Sequence, residues 1–154
     1  MHHAHSAYLE TQILTAPPQK LRLMLIEGCL RSAQHARAAR LAGDSGDVSL
    51  RLDRARDIVT ELIAGIRQGA HPLNETTRAI YAFIFKSLSE AQLLGGVKPI
   101  DDAIRVLEEE RQTWALVCER ETETPVEDIE SFRQEEIVAS QAQPAGRSSF
   151  SLDA

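Results

Sequence analysis

Glycine and proline interrupt the first 120 residues at three places, "AGDSGD", "QGAHPLN" and "GGVKP", and the four stretches so delimited share one apolar period. Each stretch carries apolar residues three and four apart, the spacing of a helix with one buried face. The spacing predicts helices over about 18–41, 49–68, 73–94 and 100–120. In the first, Leu21, Leu25, Cys29 and Ala33 form a stripe that Met24 and Ala36 widen. In the second, Leu52, Ala55, Ile58, Val59, Leu62, Ile63 and Ile66 hold the period. In the third, Ile80, Ile84, Leu88 and Ala91 make the seam, with Tyr81 and Phe85 beside it. In the fourth, Ile100, Ile104, Leu107, Trp114 and Val117 face one way, and Asp101 and Asp102 suit the positive end of the helix dipole. Short connections favour antiparallel packing of successive helices. The expected fold is therefore all-α: an antiparallel up-down-up-down four-helix bundle over residues 18–120. An apolar lead (1–17) precedes it. An acidic extension (121–154) follows, partly helical near Thr124 and Glu127 and disordered towards its end.

Composition narrows the function classes. No stretch approaches the length of uninterrupted apolar sequence needed to cross a bilayer, so no membrane insertion is expected. The start lacks a basic flank followed by an apolar run, which argues against a signal peptide and for a cytoplasmic protein. The formal net charge is −6, and residues 105–136 hold eleven acids against four arginines. Nothing resembles a phosphate-neutralising face, so nucleic acid is not an expected partner. Cys29 and Cys118 lie in apolar helical patterns and read as reduced, buried thiols, with a disulfide between them left open.

Catalytic spacing is missing. The chain has no glycine-rich phosphate loop, no Cys-x-x-Cys, no His-Glu-x-x-His and no Glu-x-x-His pair for a di-iron bundle. His35 and His71 read as solvated or helix-terminal, and "MHHAH" as a flexible terminus. Glu108, Glu109 and Glu110 form an acidic run, either a solvated face or an attraction for a basic partner. No cofactor, metal or enzymatic activity is expected, and binding becomes the default. Surplus apolar residues support it: Leu21, Leu23, Met24, Leu25 and Ile26 are nearly consecutive, and Phe83 and Phe85 flank Ile84. Such residues serve a partner helix in a groove, a homodimer contact, or burial under the C-terminal extension.

Three passages are similar to the bacterial flagellar secretion chaperone FliS family. They are "AYLETQILTAPPQKLRLMLIEG", "IYAFIFKSLSEAQ" and Trp114, in the family's order over roughly residues 7–120. Pro17 stands where the family has a capping serine, Ile26-Glu27 where it has Tyr-Asp, Phe83 where it has a second tyrosine, Gln92 where it has Asn, Thr76 where an Asn is frequent, and Glu110 where it has Leu. The resemblance implies a non-enzymatic export chaperone that holds the disordered C-terminal region of flagellin on apolar grooves and blocks premature polymerisation. It also admits contact with an export component or co-chaperone. Candidate partner-binding residues follow: Tyr8, Leu9 and Ile13 in the lead; Leu21, Met24, Leu25 and Ile26 in the first helix; Tyr81, Phe83, Ile84, Phe85 and Leu88 in the third. Ile26, Phe83 and Phe85 are expected to be exposed, being off the main seams. Core and groove floor are not separable among Leu21, Met24, Leu25, Tyr81, Ile84 and Leu88. The lead is a candidate lid over the client's groove. A generic helical adaptor binding another amphipathic partner is the alternative reading.

Overall fold

The computed structural model describes residues 16–66 and 73–123. These form four helices and no strand: α1 (Pro18–Ala42), α2 (Ser45–Ala64), α3 (Leu73–Leu94) and α4 (Lys98–Glu123). The lead, the 67–72 connection with His71, and residues 124–154 lie outside the described residues.

Local chemistry sets the ends. Pro17 occupies the N-cap of α1 and offers no side-chain acceptor, while Pro18 sits at the first helical position, where its missing N–H costs nothing. The Leu21 N–H then closes the first turn onto the Pro17 carbonyl at 2.9 Å. At the other end Gly43 turns left-handed (φ 75°), and its N–H donates to the Arg40 carbonyl at 3.2 Å. Asp44 follows at once as the cap of α2, its carboxylate accepting from the Asp47 N–H at 3.1 Å. That cap starts α2 one turn before the apolar period becomes visible at Ser49. Gly95 and Gly96 (φ 77° and 80°) make the α3–α4 turn. Arg40 of α1 reaches over it, donating from Nη2 to the Ala91 carbonyl (3.0 Å) and from Nη1 to the Gly96 carbonyl (3.1 Å). A cation thus satisfies carbonyls at the negative end of α3.

The core unites all four helices around Ile26, Leu52, Val59, Tyr81, Ile84, Leu88, Ile100 and Leu107, each fully buried. Small residues fill the places between them. Ala33, Ala36 and Ala55 are sealed from solvent, and the Cys29 Sγ donates to the Ala55 carbonyl at 3.5 Å. Burial pushes the Cys29 thiol up to about 12. With so little side-chain bulk between them, α1 and α2 are the most closely apposed pair. Polar cross-links join the rest: Arg37 Nε donates to Asp101 Oδ1 at 2.5 Å, and Gln92 Nε2 to Ser49 Oγ at 2.9 Å.

Two expectations are corrected. Ile26 is fully buried rather than exposed. The buried face of α1 runs Leu23, Ile26, Cys29, Leu30, Ala33 and Ala36, so Leu21 and Leu25 lie on its flank. The run from Leu21 to Ile26 is apolar almost throughout and does not fix a phase. The alanines downstream do, and they place Ile26, three residues before Cys29, inside. Cys118 is only half-buried, and both cysteines are free thiols.

Candidate functional site

The first turns of α1 and the last turn of α2 enclose a cleft of about 540 Å³ with Trp114 of α4. Leu21, Leu25, Leu62 and Trp114 supply its apolar lining, and Pro18, Arg22, Glu61 and Gly65 lie at its edges. Leu21 and Leu25 reach it because the alanine-set phase of α1 leaves them on the flank of the buried face, Leu25 still packing against the core. One run thus serves two ends: Ile26 sits in the core, while Leu21 and Leu25, both half-buried, line the cleft.

Arg22 organises the wall. Its guanidinium lies 4.5 Å from the centroid of the Trp114 ring and 6.0 Å from that of Tyr81, so it stacks on one aromatic and leans over another. The Trp114 Nε1–H donates to Glu110 Oε2 one turn earlier, at 3.2 Å. Glu110 thus orients the indole. The Tyr81 ring is fully buried, and its Oη, with Glu110 and Arg22 as its polar neighbours, meets no partner at hydrogen-bonding geometry among the described residues. Burial first, then the Glu110 charge, raises its pKa, while Arg22 acts in the opposite sense.

Separate apolar side chains are exposed on α3, Phe83 and Phe85 lying on different sides of the helix because they are two residues apart. Phe83 and Phe85 remain 41% and 38% exposed, as their positions off the seam predict. Leu93 and Leu94, at the end of that helix, are both 81% exposed. Phe83 and Phe85 are aromatics left in water on a chain with few of them.

The sequence candidates now divide. Leu21 and Leu25 line the cleft, and Met24 is half-buried beside it in sequence without lining it. Ile26, Tyr81, Ile84 and Leu88 are core. Phe83 and Phe85 are surface. Tyr8, Leu9 and Ile13 fall outside the described residues. Arg22, Glu61 and Leu62 were not among the candidates. Arg22 carried a signal, a lone cation inside an apolar run, but nothing in the sequence tied it to Trp114 ninety-two positions away.

Among the described residues, no group of three His, Cys, Asp or Glu side chains could hold a metal ion, and no helix is long and apolar enough to cross a membrane. Curated proteins gave no match to the chain. The family model described as "Flagellar protein FliS" matches residues 1–121, which takes in all the passages that carried the resemblance. On that match, spanning most of its length, the chain belongs to the FliS family.

Proposed function

We propose that this chain is a cytoplasmic export chaperone for flagellin. It holds the disordered C-terminal region of its client on apolar helical surfaces, prevents premature polymerisation and supports flagellar secretion. As a FliS family member it is not an enzyme. The observation that carries the proposal is the family match over residues 1–121. The apolar cleft beside Trp114 and the exposed pair Phe83 and Phe85 supply what such work requires. A disordered client loses chain entropy when it orders, and apolar burial of about 25 cal/mol per Å² must offset that loss.

In this reading the bundle is antiparallel, up-down-up-down. Arg37 near the end of α1 meets Asp101 at the start of α4, and Arg22 at the start of α1 meets Trp114 late in α4, which supports opposite senses for that pair. Leu21, Leu25, Phe83 and Phe85 contact the client. Ile26, Tyr81, Ile84 and Leu88 act indirectly, by holding α1 and α3 in place. Tyr8, Leu9 and Ile13 in the lead compete with the client for the apolar surface.

Flagellin polymerisation tests the proposal. Light scattering from seeded flagellin should stay flat in the presence of an equimolar amount of this chain and rise without it. Growth that proceeds equally in both samples refutes the anti-assembly role.

A further inference from the structure

A second groove, on the outer side of the α1–α2 pair, is chemically opposite to the apolar cleft. Arg31 and His35 approach it from α1, Arg51 and Arg54 from α2, over a floor of Gly28 and Ile58, around a space of about 300 Å³. The spacing explains the convergence. Arg31 and His35 are four apart and Arg51 and Arg54 three apart, so each pair stacks one turn on one helix face. Gly28 has no side chain to fill the floor. Arg31 and Arg54 are exposed, and neither has a hydrogen-bond or ion-pair partner among the described residues. Arg51 alone is engaged, its Nε donating to Asp47 Oδ1 at 3.2 Å. On a chain of net charge −6, two unpaired guanidiniums and an imidazole facing one another need a reason.

We infer that this groove is a docking site for a short acidic segment of a partner protein, gripped by Arg31 and Arg54 as carboxylate-binding forks. Charge complementarity identifies the occupant, and the neighbouring charges limit its length. Asp44 and Asp47 line the adjoining space past His35, and Glu27 lies one turn before Arg31. The positive field therefore covers about one helical turn, ~5.4 Å, with acids beyond it on both sides. Two or three clustered carboxylates fit. A long polyanion such as nucleic acid runs onto Asp47 at one end and Glu27 at the other. The net negative charge of the whole chain repels such polyanions at long range, whereas screening confines the local attraction to within about 8 Å at physiological salt. This site is independent of the apolar surfaces assigned to the client, so either reading can fail alone.

The test is fluorescence anisotropy with the full chain and a labelled peptide, acetyl-Gly-Ser-Asp-Glu-Glu-Ser-Gly-amide, beside its Asn-Gln-Gln counterpart. The acidic peptide should bind, with affinity falling as salt rises, and the amide peptide should not. The double variant Arg31→Gln with Arg54→Gln should weaken binding about a hundredfold, roughly tenfold for each charge-assisted contact. Arg105→Gln, an exposed arginine on α4, should leave it unchanged. Unchanged urea midpoints would show that all variants fold. No binding of the acidic peptide, or equal binding by the double variant, overturns the assignment. So does tighter binding of inorganic polyphosphate or an oligonucleotide through the same arginines. Self-association of the chain that the double variant abolishes would give the groove to a second copy and overturn it equally.

Discussion

Replacing Ile26 and Phe83 by alanine, one at a time, separates scaffold from surface on two helices. Ile26 is fully enclosed, so truncation removes three carbons' worth of burial and leaves a cavity among Leu30, Ala55 and their neighbours. Such substitutions cost about 2–5 kcal/mol, and a middle value of about 3 kcal/mol is reasonable where small alanines nearby offer little to collapse inward. With a urea m-value of roughly 1.5–2 kcal/mol per M, the midpoint should fall by about 1.5–2 M. Against a total stability of about 5–15 kcal/mol, the variant still folds in buffer. Phe83 is 41% exposed, so its loss should move the midpoint by no more than about 0.5 M. Its effect should instead appear in titration with a flagellin C-terminal fragment, as a weakening of about tenfold, the value of an aromatic side chain buried by a partner. Paired urea melts and titrations read both quantities. An unchanged midpoint for Ile26→Ala refutes the packing account. Unchanged affinity for Phe83→Ala in a folded variant removes α3 from the client surface.

Further outcomes follow from the caps, the buried thiol and the lead. Asp44→Ala removes the acceptor for the Asp47 N–H and should cost about 1 kcal/mol by urea melt, whereas Asp44→Asn should cost much less. Cys29, raised by burial from 9.0 to about 12, should resist a thiol reagent at mildly alkaline pH until denaturant is added, while half-buried Cys118 reacts promptly. The same shift makes stability pH-dependent. The neutral thiol's contribution is whole below pH 9 and is lost as pH rises from there towards 12, with the raised Tyr81 phenol acting in the same direction. Thermal midpoints should therefore decline above pH 9, and a flat profile would contradict burial of both groups. Deleting residues 1–14 should tighten or speed client binding without lowering the urea midpoint; unchanged binding reduces the lead to an ordinary terminus.

The fold was legible where the period was unambiguous. Leu52, Ala55, Val59 and Leu62 admit one helical phase, and α2 buries them as read. Ile84, Leu88 and Ala91 do the same on α3. The start of α1 was not legible, because a run such as Leu23-Met24-Leu25-Ile26 satisfies every phase, and only packing chooses between Ile26 and Leu25. The start of α2 was hidden for a different reason: its first turn is held by the polar cap Asp44, which carries no apolar signal. The missing cap at Pro17 was visible, since proline brings no acceptor in any context. Of the candidate site, exposure of Phe83 and Phe85 could be read from their position off the seam. The stacking of Arg22 on Trp114 and the tether from Trp114 to Glu110 could not, because the first joins helices distant in sequence and the second depends on a rotamer.

The proposed function stands or falls on whether this bundle binds the disordered C-terminal region of flagellin. Isothermal titration calorimetry of the full chain with that fragment tests it most directly, with circular dichroism of the mixture. Saturable binding at micromolar concentration or below is expected, with a negative heat-capacity change from apolar burial and a gain in helix beyond the sum of the parts. No heat and no added helix at micromolar concentrations would contradict it.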